Sequence, residues 1–522
     1  MATASPIETD NSTTIPDFDF EKAVDSVHET STNESGVSKD TLAQIAPLPP
    51  SPPETPGITP LDGGYGWVCV ACCFFLNAQT WGINSSYGVF LANYLENNVF
   101  PGVTYLGFAF VGGLSISQAM LVSPIATIIV GRFGTRTCLF IGVFLQLLAL
   151  IGASFAREFW QLLVTQGLCF GYGMGFLFVG SIGIIPQWFT QRRSLANGIG
   201  AAGSGFGGLI YSLAAEAIIK RMSLPWAFRI IGIVSGSIAL TCALLLRDRN
   251  KHIGTRQLGF DYTMFKRVEF WLVQGYGMFT MLGFVVLIFS LPNYANYIGL
   301  TPHQASVISA VLNLGQVFGR PPVGYFSDSF GRINMAGTMT FASGLFALVI
   351  WTFAKSYAVG NPRDAIDRQQ SCSQNMQVLI FYAFIAGTVA GTYWATIAPV
   401  CAEVVGLRDL PAALSITLLN LVLPDTFAEP IVLEITAHTG KYLGAQLFVG
   451  FAYIAAAICL LFLKAWKIGD LERLAEIEEK SVSILSPTPT PSAEDVEISR
   501  VEEARVKPRT SFMKRIIICR KV

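Results

Sequence analysis

Apolar and polar residues fall in long blocks along this chain, not in the short periods of a water-soluble fold. From residue 62 onward, about twelve windows each hold the ~20 largely apolar residues that an α-helix needs to cross a hydrocarbon core. They run over 66–92, 104–130, 137–155, 161–186, 194–218, 226–246, 268–292, 303–325, 335–354, 377–401, 410–434 and 441–464. Several contain Gly or Pro, which membrane-spanning helices tolerate. Connections are short except 247–267 and 355–376. The pattern predicts an all-α membrane protein with twelve transmembrane helices in two six-helix halves. Its segments are a cytosolic tail at 1–61, a first half at 62–246, a linker at 247–267, a second half at 268–464 and a second tail at 465–522.

Composition agrees: 52% of the residues are hydrophobic and only 13% charged, too apolar for a soluble protein of this length. The net charge is zero, which gives no sign of a nucleic-acid partner. Residues 1–61 are rich in Ser, Thr, Pro, Asp and Glu and contain no apolar core of a secretory signal. They read as a disordered segment, so the first spanning helix must act as the insertion signal. Most of the ten cysteines lie in or beside apolar windows, where they behave as small apolar residues. With four histidines and no Cys/His spacing of a metal site, neither metal nor cofactor is expected.

Basic residues orient the bundle. With the N-terminus in the cytosol, inner loops hold Arg132, Arg136, Arg192, Arg193, Arg247, Arg249, Lys251, Arg256, Lys266, Arg267, Arg332 and Arg408. Outer loops hold Arg157, Lys220, Arg221, Lys355, Arg363, Arg368 and Lys441. The excess inside places both termini in the cytosol. Just after the dibasic turn, glycines recur at 198, 200, 203, 205, 207 and 208, a density that lets neighbouring helices approach closely in a membrane. The loop after the second window, GRFGTR at 131–136, is echoed after the eighth by GYFSDSFGR at 324–332. An internal repeat six helices apart is a transporter trait.

The second of these loops, with Asp328, Gly331 and Arg332, resembles the signature of the major facilitator superfamily. One basic position is replaced by Ser329, and in the first half Gly131 stands where the acid is usual. DGGYGW at 62–67 and FTQRRSLANGIGAAGS at 189–204 are similar to the paired signatures of the monocarboxylate porter family. TWGINSSYGVF and WAFRIIG resemble its fungal branch, whose carriers include some for riboflavin and secondary metabolites. The resemblance covers about residues 61–465. It implies the major facilitator fold and a secondary or facilitative carrier working by alternating access. Asp62, Gly63, Gly64, Trp67, Arg192, Arg193, Asp328 and Arg332 are assigned to signature and gating roles.

Polar residues on a spanning helix face a cavity or a partner helix. Ser306, Ser309, Asn313, Gln316 and Arg320 share one face of the eighth helix. Arg320 offers a planar fork for an anion, or snorkels to the cytosol. The resemblance places the family's transport arginine before a proline, as in Arg320-Pro321. On the first helix, Asn77, Thr80, Asn84 and Tyr87 form a face with Ser85 beside it. Proton-coupled relatives carry Lys at the position of Ser85 and Asp at that of Gln316, so both neutral residues speak against a lactate-type mechanism. Substrate-contact candidates are Arg320, Asn313, Gln316, Asn84, Ser85 and Tyr172. Phe176, Tyr276, Tyr393 and Trp394 are further aromatic candidates, against the alternative that they only pack. Glu429, then Asp425, are the candidate proton carriers, because burial disfavours a charged acid. Glu216 and Glu403 are expected at the surface.

The expected activity is transport of a small organic acid or related metabolite, with or without a proton. The alternatives are efflux of a secondary metabolite or vitamin-like ring compound, and a non-transporting membrane sensor of the same fold. No enzyme chemistry is visible, and no Walker loop points to an ATP-driven pump. The expected location is the plasma membrane, with a vacuolar or other internal membrane as the alternative; the sequence does not fix an oligomeric state. Ser51-Pro52, Thr55-Pro56, Ser486-Pro487 and Thr488-Pro489 are candidate phosphorylation sites in the tails. The C-terminal end mixes basic and apolar residues and suits an anionic leaflet. Cys519 is followed by Arg520 and Lys521, which argues against prenylation. Tags at residues 1 and 522 should resist protease in intact cells and be digested after permeabilisation. Labelling of either tag on unpermeabilised cells would contradict this topology.

Overall fold

A computed structural model of the protein describes residues 62–103, 105–354, 365–485 and 515. The candidate phosphorylation sites and Cys519 lie outside the described residues.

The first six spanning helices are α1 (Tyr65–Tyr94), α2 (Phe110–Leu121 and Ser123–Phe133), α3 (Thr135–Ala153), α4 (Phe159–Trp188), α5 (Arg193–Arg221) and α6 (Leu224–Leu245). The last six are α7 (Val268–Tyr297), α8 (Pro302–Phe330), α9 (Arg332–Trp351), α10 (376–405), α11 (407–439) and α12 (Leu443–Leu485). Among the described residues, nine helices are long and apolar enough to cross a membrane by length and composition alone. The fold is nevertheless twelve-helical, for three physical reasons. α2 is broken by 40° after Leu121, with Pro124 in the first turn of its second piece. α8 carries too many polar side chains to pass a hydropathy test. α10 and α11 run together, but the chain reverses at Gly406, whose φ of 81° suits only glycine.

Two other turns show the internal repeat. Gly134 begins α3 with φ 87° and Gly331 begins α9 with φ 101°. These turns, the α4–α5 connection and the linker lie at one end of the bundle, here termed the linker end. α12 does not stop near 464. It continues to Leu485, and Lys467 pairs with Asp470 at 3.3 Å beyond the expected boundary. Its 43 residues span about 65 Å at 1.5 Å per residue, roughly twice a bilayer's ~30 Å core.

α5 is the axis of the packing. A β-carbon at Gly198 would lie 2.5 Å from the Arg320 carbonyl oxygen, and one at Gly205 2.6 Å from that of Asn313. On its other side Gly203 and Gly207 lie against the backbone of Phe74 and Ala78 in α1. Side chains would push all three helices apart, so here glycine buys backbone contact across both seams. α1 has one π-helical turn at Ala78–Gly82, where it crosses α5.

Candidate functional site

The two N-half signatures, over a hundred residues apart in sequence, form one structure. The Asp62 carboxylate accepts hydrogen bonds from the Thr190 and Gln191 amides at 2.8 and 3.1 Å, ahead of α5. Trp67 meets Phe189 edge-on at 5.0 Å, and Gly66 leaves room for the same ring. Gly63 and Gly64 accept from the Gly66 and Trp67 amides, opening α1 through a tight turn. Arg193 is buried, with Nε donating to the Phe189 carbonyl at 3.0 Å. Arg192 is the residue before α5. The DGGYGW and FTQRRS motifs therefore fix the connection from α4 to α5 against the start of α1.

A clasp then ties this connection to the second half. Asp328, near the end of α8, accepts from the Ser194 and Leu195 amides at 3.0 and 2.9 Å. These are free N–H groups of the first turn of α5, where a carboxylate also meets the positive end of the helix dipole. Arg332 lies 3.6 Å from Asp328 and donates to the Thr190 carbonyl at 2.9 Å. Glu403, expected at the surface, is instead partly buried and lies 3.9 Å from Arg332.

The pseudo-symmetric position in the first half has no acid. Gly131 stands there, and the linker fills the space: a β-carbon at Gly131 would lie 2.7 Å from that of Gln257. The Arg256 amide donates to the Arg408 carbonyl at 2.8 Å, at the start of α11. The Ser415 hydroxyl donates to the Gly259 carbonyl at 2.6 Å, while the Ser123 hydroxyl donates to the Ser415 carbonyl at 2.9 Å. The linker thus lies between α2 and α11 as a strap. Within it, the Thr263 hydroxyl and amide bind the Asp261 carboxylate and hold it below the ordinary range.

Above clasp and strap is a cavity lined by helices of both halves. Of the expected contact residues, Arg320, Gln316, Asn84 and Ser85 line it. Asn313 does not; it lies in the α5–α8 seam beside Gly208 and accepts from Gln316 at 3.3 Å. Tyr172 does not either. It packs on another face of α4 with the Val122, Ala126 and Phe176 cluster. Tyr276 and Tyr393 pack on each other at 5.2 Å, and only Trp394 of the expected aromatics reaches the cavity. Trp81, Phe178, Phe284 and Phe289 are lining aromatics that sequence reasoning missed. Trp81, Phe178 and Trp394 form a triad at 5.0–5.5 Å that bridges the halves. The first-helix face also differs. Asn77, Trp81, Asn84 and Ser85 line the cavity, whereas Thr80 bonds to the Leu76 carbonyl and Tyr87 to that of Phe108. These lining residues recur at steps of three and four, one regular helical face offset from the expected one by Trp81 in place of Thr80.

Arg320 is 2% exposed. Its Nη1 donates to the Ala201 carbonyl at 2.5 Å and to the Ser204 hydroxyl, both on α5. Nη2 donates to Gln316 Oε1 at 2.6 Å. Nε finds no acceptor among the described residues. A β-carbon at Gly391 would lie 2.8 Å from Nε, so glycine on α10 leaves the guanidinium its place. Arg320 therefore spans the halves, with its fork engaged by protein. The two acids of α11 differ. Asp425 lines the cavity with both carboxylate oxygens unpartnered among the described residues. Glu429 accepts from the Ser290 hydroxyl of α7 at 3.0 and 2.9 Å, away from the cavity lining.

Comparison with known families settles what this arrangement belongs to. The model of the Major Facilitator Superfamily matches twice, over residues 70–275 and 273–486. The chain belongs to the major facilitator superfamily. Its relatives include the Probable transporter MCH2 of Saccharomyces cerevisiae, 33% identical over 417 residues, covering 78% of this chain and 84% of the relative. The Uncharacterized transporter ESBP6 of the same yeast is 30% identical over 439 residues, covering 81% of this chain and 62% of the relative. The Fujikurins efflux protein of Gibberella fujikuroi is 25% identical, covering 77% and 83%. In fold, the chain is similar to the proton:xylose symporter XylE, with TM-score 0.59 and 13% identity over 77% of this chain and 95% of that one.

The clasp sets an expectation for this facilitator fold. Asp328→Asn keeps the shape but removes the charge facing the helix terminus. In a Cys73→Ala background, a cysteine at Ala201 in Asp328→Asn protein should react several-fold faster with an impermeant maleimide applied from the linker end. An unchanged rate would show that Asp328 does not hold this end closed.

Proposed function

We propose that this protein carries an organic metabolite across a membrane by alternating access, with the central cavity as its binding site. The observation that carries the reading is a cavity bounded by both halves, above a clasp at the linker end. In that arrangement, parting the halves at the clasp gives the bound molecule its second exit. The linker end is cytosolic in this reading, following the basic residues, and the membrane is the plasma membrane. The paired DGGYGW and FTQRRS signatures support the monocarboxylate porter branch.

The cavity favours a ring-bearing metabolite over a short-chain monocarboxylate. Trp81, Phe178 and Trp394 give it an aromatic wall, and Asn77, Asn84, Ser85 and Gln316 give it neutral polar groups. The Fujikurins efflux protein is named for export, which is the direction we propose here. An acidic group on the metabolite would compete with Ala201 and Ser204 for Arg320, loosening the α5–α8 seam as it binds.

Comparing metabolites inside and outside deletion cells identifies the substrate: the transported compound should accumulate inside them. No difference in any metabolite would sink the export reading. With that compound as the assay, Arg320→Lys should lower transport at least tenfold while the protein still reaches the membrane. One ammonium cannot satisfy Ala201, Ser204 and Gln316 with a planar fork's geometry. Wild-type transport by Arg320→Lys would remove the fork from the account.

A further inference from the structure

We infer that Asp425, and not Glu429, is the carboxyl that exchanges a proton with the cavity during the cycle, an inference that rests on the transporter reading of that cavity. Both acids are buried on α11 one turn apart, at 2% and 7% exposure. Their surroundings give them different work. Glu429 is already held by Ser290 in the α7–α11 packing. Asp425 lines the cavity, and neither of its oxygens has a partner among the described residues.

An ionised carboxylate without a partner in a low-dielectric site is costly, and the inexpensive remedy is to bind a proton. The neighbours leave that remedy in place. Across the cavity, Arg320 makes no ion pair with Asp425 among the described residues, and both its Nη atoms serve Ala201, Ser204 and Gln316. From α10 the nearby titratable group is the Tyr393 hydroxyl, itself without a hydrogen-bond partner among the described residues. From α7, the cavity residues are Met281, Phe284, Val285, Ile288 and Phe289, none ionisable. From α2, Gly113 lies against the Asp425 backbone and Ile116 lines the cavity. Glu429 is the remaining acid on α11 itself at this depth.

The step is a simple proton transfer. With the cavity open to one side, a hydronium ion gives its proton to an Asp425 oxygen, an O–H bond forms, and water is left. With the cavity open to the other side, that O–H bond breaks to water and the carboxylate returns. The arrangement moves the acid from α8, where Gln316 stands, to α11 on the opposite wall.

Infrared difference spectroscopy on the full chain in proteoliposomes tests this with protons alone as the probe. Lowering the pH should produce the C=O band of a neutral carboxylic acid that shifts in heavy water. Asp425→Asn should lose this band, Glu429→Gln should keep it, and Asp425→Glu should restore it with a displaced midpoint. An undiminished band in Asp425→Asn, its loss in Glu429→Gln, or a wild type without a titrating band overturns the inference. Should Asp425→Asn not fold, a band of unaltered position and midpoint in Asp425→Glu overturns it equally. A wild type that moves its metabolite without this band is a facilitator, so the transporter reading stands. A protonating Asp425 in a protein that redistributes no metabolite defeats the transporter reading instead.

Discussion

Backbone contact along α5 is the constraint on which the other features depend. Lipid does not press two helices together as water does, so helices in a membrane adhere by fitting closely. Glycines on opposite sides of α5 bring it against α1 within its own half and against α8 in the other. That approach sets the depth of Arg320. Its guanidinium arrives where the Ala201 carbonyl and the Ser204 hydroxyl receive it, and Gly391 leaves it space from α10. A permanently charged group buried this deeply must be hydrogen-bonded, and most of its bonding groups cross between the halves. The charge thus both lines the cavity and belongs to the seam between the halves.

The linker end is closed by two unlike devices in symmetric places. On one side Asp328 caps α5 with a carboxylate. On the other Gly131 has no side chain, and the strap from Arg256 to Gly259 takes the space between α2 and α11. The first device is electrostatic and local. The second is made of backbone hydrogen bonds from the segment that joins the halves. Opening this end therefore requires the strap to leave its seat, which couples the linker's own conformation to the cycle. The extended α12 emerges at the same end.

Much of this was legible in the sequence. The blocks of apolar residues marked the helices, because a bilayer demands a long apolar run whatever the packing, and only the polar-faced α8 and the bent α2 are weak by that measure. The Gly-rich face of α5 and the loop repeat announced close packing and two-fold design. The signature motifs marked residues that are in contact, although their partnership is invisible to spacing. What remained hidden depends on which neighbours each helix face meets. On α1 the cavity face runs through Asn77, Trp81, Asn84 and Ser85, and Thr80 lies beside it, bonded to the Leu76 carbonyl. Tyr172 and Asn313 lie on cavity-bearing helices but point into packing seams, which periodicity alone cannot separate from a lumen. Asp425 and Glu429 are both acids on α11, and only their neighbours on α7 and across the cavity distinguish them. The continuation of α12 past 464 was missed because a helix leaving the membrane becomes polar without ceasing to be a helix.

Reciprocal motion of the two ends is the central claim, and paired distance measurement by spin labelling in proteoliposomes tests it most directly. One pair, at Thr190 and Phe330, reports the linker end across the halves; the other, at Asn97 and Lys441, reports the opposite end. Releasing the seam with Arg320→Ala should lengthen the first distance and shorten the second in the same population of molecules. If both distances stay at their wild-type values, or lengthen together, the halves do not rock about the cavity and the account fails.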